Sequence, residues 1–359
     1  MSASFEIQAS TGSYSIHIES YAFERYLAEF RHAVIIADEF FKPRFAQAGH
    51  TAIFAEASEA IKSLDASPAL IEDIRKIGAN RQTHLVAVGG GILQDLSAFI
   101  ASIYMRGLSW SYMPTTVLAM VDSCIGGKSS INVGPYKNLV GTFHPPLKVL
   151  IDPALAQTLP HNQRASGLIE AAKICFCRGP ESFDLHLSFG PAMDMSAEAL
   201  EQVIVNSLLA KKWFIEMDEF DKKERLLLNF GHTFGHAIEG ASHYAISHGI
   251  AVGLGIICAL EFERQAGTSY AAMPRVQKLE DHLDVMVAAV PQLSSSLKSL
   301  PLDDVLERFE SDKKHGPENY ALILVSEIGE VTLQKIAKSH AVRSRVKRAI
   351  QTMVERYAS

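Results

Sequence analysis

The sequence predicts an α/β domain with a largely parallel sheet over residues 1–159, followed by a mainly α-helical domain over residues 160–359. Three observations predict it. Short β-rich runs alternate with helical stretches through the first half, the pattern of strands joined by helices that cover the faces of a sheet. Past residue 160 strand signals nearly vanish, and apolar residues recur with helical spacing. The length of 359 residues also exceeds that of a usual single domain.

In chain order, Ser15-Ile-His-Ile reads as a strand, half of an N-terminal hairpin. Ala33-Val-Ile-Ile-Ala37 is a buried strand ending at Asp38, and Thr51-Ala-Ile-Phe54 is another. Helical stretches run from Glu59 to Leu64 and from Ala69 to Asn80. Leu85-Val-Ala-Val88 then runs straight into Gly89-Gly90-Gly91. Ligands of parallel sheets lie beyond the carboxyl ends of the strands, where Asp38 and the glycines fall. Asp38 suits a ribose hydroxyl, and the glycines let backbone amides approach a pyrophosphate at a helix N-terminus. Gly89-Gly-Gly91-Ile-Leu-Gln94 lacks the third glycine of the usual dinucleotide fingerprint, so on its own the run reads either as a phosphate-binding turn or as a plain tight turn. Asp95, near the start of the next helix, suits its positive end.

Tyr104-Met-Arg-Gly107 leads to a strand, Trp110-Ser-Tyr-Met, that ends at Pro114-Thr115-Thr116. Val121-Asp-Ser-Cys-Ile-Gly-Gly-Lys128, Asn132 and Tyr136-Lys-Asn-Leu-Val-Gly141 follow. Arg106, Asp122, Lys128, Lys137 and Asn138 are thus set among glycines and hydroxyl residues. Asp122 stands where a P-loop needs its first glycine, which excludes a Walker ATPase. Lysines embedded in glycine-rich, otherwise apolar sequence fit a small polyanionic substrate better than a solvated face. Val149-Leu-Ile-Asp152 is the last strand of this half, and Leu159-Pro160 marks the boundary.

Helical periodicity covers Gln163 to Cys177, Glu198 to Met217, Leu226 to Gly240, Gly249 to Gln265, Arg275 to Val290 and His340 to Tyr357. One late hairpin interrupts it, Asn319 to Val325 pairing with Glu330 to Leu333 through a turn that places Gly329 at positive φ. Within Asn229-Phe-Gly-His-Thr-Phe-Gly-His236, His232 and His236 leave one helix face a single turn apart. His248 follows in Ser247-His-Gly249, and Glu170 with Lys173 shares a face in Gly167-Leu-Ile-Glu-Ala-Ala-Lys173. Two or three imidazoles plus one carboxylate is the ligand set of a catalytic zinc with an open position. At this level either His236 or His248, or both, completes the set with His232.

A formal charge of -6 argues against nucleic acid as a partner, since no basic surplus exists to neutralise phosphates. Apolar residues at 48% and charged residues at 21% describe a globular protein with a sizeable core. No apolar run approaches the ~18 residues that span a membrane, and MSASFEIQAS lacks the layout of a secretory signal. Cys124, Cys175, Cys177 and Cys258 form no framework spacing, so a reducing, cytoplasmic setting is expected, with Cys124 and Cys177 as incidental thiols rather than nucleophiles.

Read together, these pieces resemble the 3-dehydroquinate synthases of the sugar phosphate cyclase family over nearly the whole chain. The resemblance is carried, in order, by Glu59-x-x-Lys62-Ser63, Gly89-Gly-Gly-x-x-x-Asp95, Tyr-Met-Arg106-Gly, Pro-Thr-Thr116 and Val-Asp122-Ser-x-x-Gly-Gly-Lys128. Lys137-Asn138, Glu170-x-x-Lys173, Asn229-x-Gly-His-Thr-Phe-Gly-His236, His248-Gly and Asp312-Lys-Lys314 complete it.

The resemblance implies a dehydroquinate synthase-like fold, an NAD-binding α/β domain before a helical metal-binding domain, in a homodimer. It implies zinc or cobalt on Glu170, His232 and His248, with His236 turned to substrate. NAD is expected at Asp38, Glu59, Lys62, Gly90, Gly91, Asp95, Thr115, Thr116, Asp122, Lys128 and Lys137. Substrate is expected at Arg106, Asp122, Lys128, Asn138, Lys173, Lys211, Arg225, Asn229, His236 and one or both of Lys313 and Lys314. The implied reaction turns 3-deoxy-D-arabino-heptulosonate 7-phosphate, a phosphorylated sugar acid of the shikimate pathway, into 3-dehydroquinate and phosphate. It proceeds by transient oxidation, phosphate elimination, re-reduction and aldol closure.

The chain departs from the family's usual pattern in three places. Ile250 stands after His248-Gly249 where Glu is usual, Asp221-Lys-Lys-Glu precedes Arg225, and no Tyr-Gly or His-Gly follows Lys173. A sister cyclase acting on another sugar phosphate, a metal-dependent polyol dehydrogenase and a non-catalytic binding paralogue are the alternatives. Lys128, suited to a carboxylate-bearing substrate, favours the dehydroquinate branch, and the filled metal set disfavours the paralogue.

Overall fold

Val, Ile and aromatic side chains fit the pleated surface of a sheet covered on both faces, and the strands of the first half are built of them. In the computed structural model, which describes residues 2–134 and 136–358, these strands form a seven-stranded sheet. Its members are β1 (Ser2–Ala9), β2 (Gly12–Glu19), β3 (Val34–Asp38), β4 (Ile53–Ala55), β5 (Leu85–Gly89) and β6 (Trp110–Pro114). The short strands β7 (Ile131–Val133) and β8 (Tyr136–Val140) pair apart from it, and β9 (Lys148–Ile151) returns to it. The sheet order is β1-β2-β9-β6-β5-β3-β4, all parallel except the β1–β2 hairpin. Every residue of β5 and β6 is buried.

The order explains where a ligand belongs. β3 leads to β4 on one side, while β5 leads to β6 on the other, so the strand order reverses between β3 and β5. Asp38 ends β3, and Gly89, paired with Pro114, ends β5 at that switch point. The helix Gly91–Ile103 starts there.

Contacts divide the chain into two units, Met1–Leu159 with Met195–Phe220, and Pro160–Asp194 with Asp221–Ser359. This corrects the single cut expected at residue 160. The chain does leave the α/β unit after Leu159, but the helix Ala197–Met217 belongs to that unit, against β1, β2 and the turn Ala119–Ser123. An apolar helix face shows that something covers it, not which unit does.

Two helices expected from periodicity differ. Glu59 to Leu64 is not helical: its backbone pairs with β7 instead, Asn132 N–H donating to Lys62 O at 2.9 Å and Leu64 N–H to Asn132 O at 2.9 Å. Leu226 to Gly240 is broken, a 3-10 turn Glu224–Asn229 giving way at Gly231 to the helix His232–Ala241. Gly231 takes φ 78, and a Cβ there would lie 2.7 Å from Val252 O. The N-terminal hairpin and the late hairpin β10 (Asn319–Val325) with β11 (Val331–Ala337) form as expected, Gly329 at φ 77.

In the second unit the helix His248–Arg264 is buried along almost its whole length. His161–Arg178, His232–Ala241, Pro274–Ala288 and His340–Tyr357 surround it. Glycine sets the spacing: a Cβ on Gly255 would stand 2.1 Å from Gly231 O, and one on Gly235 2.8 Å from Ala251 O. No helix among the described residues is long and apolar enough to cross a membrane.

Candidate functional site

In the α/β unit the glycine run is shaped by contact. A Cβ on Gly89 would meet Leu93 at 2.7 Å, and one on Gly90 would meet Thr116 at 3.0 Å. The turn thus brings backbone close to Thr116, whose neighbour Thr115 is buried, and Gly90 N-caps the next helix. Gly91 opens that helix, and Asp38 at the adjacent strand end accepts the Phe40 N–H at 3.0 Å. Asp95 lies one turn into the helix and pairs with Lys62 at 2.6 Å. Burial pushes the Asp95 carboxyl upward against the pull of Lys62.

Around β7 and β8 the expected residues form one network. Glu59 takes Lys137 at 3.2 Å and the Asn132 amide at 2.9 Å, while Asn132 Oδ1 accepts the Asn138 N–H at 3.0 Å. Asn138 sits at φ 53, a left-handed conformation that asparagine tolerates better than most residues. Lys128 Nζ stands 6.0 Å above the Phe143 ring. Asp122 lies in a π-helical turn, Ala119–Ser123, a deviation frequent at functional sites. Lys211 ties it down twice, 2.8 Å from Oδ1 and donating to the Asp122 carbonyl at 2.6 Å. Ser207, one turn earlier, donates to Val121 O at 3.0 Å. Arg106 is exposed after two consecutive non-glycine residues of positive φ, Met105 at 49 and Arg106 itself at 74.

The second unit gathers the metal-type ligands. Glu170 is fully buried, with Lys173 Nζ 2.5 Å from Oε2. Its Oε1 faces His232 Nε2 at 3.8 Å and His248 Nε2 at 3.5 Å. Ligands about 2.1 Å from a tetrahedral zinc stand about 3.4 Å apart, so an anionic oxygen and two imidazole nitrogens at these separations fit such an ion. His232, His236 and His248 place one nitrogen each within 4.8 Å of one another. His236 has its side chain at the surface of this group, while the other two are only partly exposed.

Electrostatics separates the three rings. Burial, then Lys173 and the neighbouring rings, holds His232 well below the usual imidazole range. His236 is an exposed residue, but the groups packed around its ring desolvate it and, with His248, push it down to about 4. Burial also opposes charge on His248, but hydrogen bonds to Glu170 and Glu239 outweigh it and raise the ring to about 10. Lys314 lies close enough to depress both His232 and His236 and pairs with Asp312 at 2.5 Å, whereas Lys313 is exposed. Arg225 is buried in the turn before His232, and Asn229 at its end donates to Leu226 O at 3.0 Å. Cys124 and Cys177 are pushed up to about 12 by burial, which leaves them as thiols.

Sequence reasoning missed Glu239, whose Oε2 lies 3.1 Å from His248 Nδ1. The signal was present: Glu239 is three residues past His236 and seven past His232, on the face those histidines share. It also missed Ser166, one turn before Glu170, which accepts the Gly249 N–H at 2.9 Å and so fixes the start of the His248 helix. Asn132, noticed but given no role, joins Glu59 to Asn138.

Comparison with known proteins matches residues 52–166 to the 3-dehydroquinate synthase N-terminal family and residues 167–315 to its C-terminal family. The 3-dehydroquinate synthase of Xanthomonas oryzae pv. oryzae is 34% identical over 331 residues, 87% of this chain and 88% of that one. That of Solibacter usitatus is 37% identical over 276 residues, 76% of this chain and 75% of that one. Among solved structures, a 2-deoxy-scyllo-inosose synthase complexed with carbaglucose-6-phosphate, NAD+ and Co2+ has a TM-score of 0.81 at 25% identity, covering 98% and 99% of the two chains. The fold is shared with a 2-epi-5-epi-valiolone synthase of Streptomyces hygroscopicus subsp. jinggangensis with NAD+ and Zn2+ bound, TM-score 0.78 at 24% identity over 96% and 97%. Matched in both halves and along most of its length, the chain belongs to the 3-dehydroquinate synthase family.

Proposed function

We propose that this chain converts 3-deoxy-D-arabino-heptulosonate 7-phosphate into 3-dehydroquinate and phosphate, using NAD and a divalent metal, Zn2+ or Co2+. The observation that carries this reading is the buried Glu170, facing His232 and His248 at 3.8 and 3.5 Å with Lys173 at its other oxygen, in a chain of this family. Glu170, His232 and His248 hold the metal. Asp38, Glu59, Lys62, Gly90, Gly91, Asp95, Thr115, Thr116, Asp122, Lys128 and Lys137 hold NAD. When bound, NAD supplies a transient oxidation of a ring hydroxyl that is reversed after phosphate leaves, and the metal supplies a Lewis acid for neighbouring hydroxyls.

The chain's own residues bind, orient and manage protons. The substrate carries a carboxylate and a phosphate, which calls for cations with fixed geometry, and Arg106, Lys128, Lys173, Lys211, Arg225 and Lys314 supply them. Lys314 is preferred to Lys313 because its charge acts on the histidine group. Asn138 and Asn229 orient hydroxyls, and Asp122, held by Lys211, keeps its carboxylate in one place. His236, its ring at the edge of the ligand group, holds or relays a proton at a ring nitrogen. Elimination and aldol closure then need chiefly orientation and exclusion of water. The same reading carries a cytoplasmic homodimer.

The test is phosphate release from the seven-carbon substrate with catalytic NAD and added Zn2+, while NADH absorbance is followed. Stoichiometric phosphate without net NADH, abolished by chelation and by His232→Ala, is expected. Accumulating NADH without phosphate would make the chain a dehydrogenase. Phosphate only from a sugar phosphate lacking the carboxylate would make it a sister cyclase.

A further inference from the structure

We infer that Glu239 is a positioning residue for the metal site, its carboxylate holding the His248 ring at Nδ1 so that Nε2 is presented toward Glu170. The inference rests on the reading of Glu170, His232 and His248 as metal ligands. A ligating histidine needs its second nitrogen anchored, because that bond fixes both the tautomer and the ring plane. The two histidines are anchored differently. His232 Nδ1 lies 3.3 Å from the Phe230 carbonyl, an acceptor supplied by the backbone just before its own helix. His248 Nδ1 lies 3.1 Å from Glu239 Oε2, an acceptor supplied by a side chain of another helix.

That difference has consequences. Glu239 rides on the helix His232–Ala241, so one helix supplies one ligand and the support of the other. Its immediate neighbours along the chain give His248 no acidic side chain, since Ser247, Gly249 and Ile250 flank it. An anionic acceptor also makes the imidazole a stronger donor to a cation than a neutral carbonyl does. Ser166 fixes the backbone of the same residue pair through Gly249. Glu239 therefore sets the ring, while Ser166 sets the chain that carries it.

The experiment measures Zn2+ affinity of the full-length chain, stripped of metal, by competition with a chromophoric chelator, together with the visible absorption of the Co2+-loaded protein. Glu239→Ala is expected to weaken Zn2+ binding ~10–100-fold and to shift the Co2+ bands. Glu239→Gln is expected to fall between Glu239→Ala and the wild type, because its amide oxygen still accepts from Nδ1. Wild-type affinity and an unchanged Co2+ spectrum in both variants would overturn the inference. Should Glu239→Ala fail to fold, Glu239→Leu, which fills similar space without an acceptor, decides: a loss of ~10-fold or more in Zn2+ affinity supports the role and wild-type affinity refutes it. His248→Ala is the reference. Wild-type Zn2+ affinity there would refute the ligand assignment itself, whereas its loss there alone would refute only the role of Glu239.

Discussion

The crossing of the two histidine-bearing helices can be tested by a single methyl group, Gly255→Ala. The added Cβ would stand 2.1 Å from Gly231 O, 2.6 Å from Gly235 N and 3.0 Å from Gly235 Cα. All three are backbone atoms, so no side chain can swing aside, and relief requires separating the helices by about 1 Å to restore ordinary contact. Overpacking of this kind costs about 1–3 kcal/mol. Alanine recovers up to ~1 kcal/mol of helix propensity, so the expected net loss is about 1–2 kcal/mol. The larger effect falls on the site, because the same separation moves His232 away from His248, and Glu170 Oε1 now stands 3.8 Å from His232 Nε2 and 3.5 Å from His248 Nε2. Zn2+ affinity should fall at least ~10-fold, as it does when ligand support is disturbed. Denaturant titration and chelator competition read the two effects. Gly316→Ala is the control, since its nearest neighbour is 3.9 Å from an added Cβ. Unchanged stability and metal affinity in Gly255→Ala would refute the claim that this backbone contact sets the ligand spacing.

Stability should fall between pH 7 and pH 5 through His186 and His282, buried rings whose edge-to-face centroids are 5.4 Å apart. Burial, and for His186 also its neighbour, depresses them to about 3 and about 4. The folded values lie below the unfolded one, so protons bind the unfolded chain first: this stability is present above about pH 6.5 and lost as pH falls toward those values. At pH 5 each ring costs about 2 kcal/mol, and His186→Leu should reduce the pH 7 to pH 5 loss in denaturation free energy by that amount; an undiminished loss would remove His186 from the account. Lys211→Met should leave Asp122 without its 2.8 Å ion pair, and a displaced group near the chemistry costs ~100-fold in kcat/KM. Activity within about threefold of wild type would show that Lys211 does not position Asp122.

The centre of the sheet was legible because β5 and β6 are buried along their whole length, so such a strand reads as an apolar run that needs no knowledge of its neighbours. Leu85-Val-Ala-Val88 before three glycines is such a case, and β5 lies there. Glu59 to Leu64 was misread for the converse reason. Its composition suits a helix, but Lys62 O and Leu64 N–H find partners on Asn132, nearly seventy residues along, and local propensity carries no information about such a partner. The helix Ala197–Met217 was recognised as a helix yet assigned to the wrong unit, since periodicity describes a face and is silent on what covers it.

The histidines show the same limit at the level of chemistry. Helical spacing put His232 and His236 on one face, and their rings are indeed neighbours, with centroids 5.1 Å apart. Spacing does not rank them as ligands, because the rank depends on which nitrogens face a carboxylate from a different helix. Glu170 is brought to His232 and His248 by contacts made elsewhere: Gly231, Gly235 and Gly255 let one pair of helices touch, and Ser166 latches the other pair at Gly249. In sequence these positions are four glycines and a serine with no chemistry of their own. Their effect exists only as distance, and substitutions there are expected to be felt first in metal affinity rather than in the catalytic groups themselves.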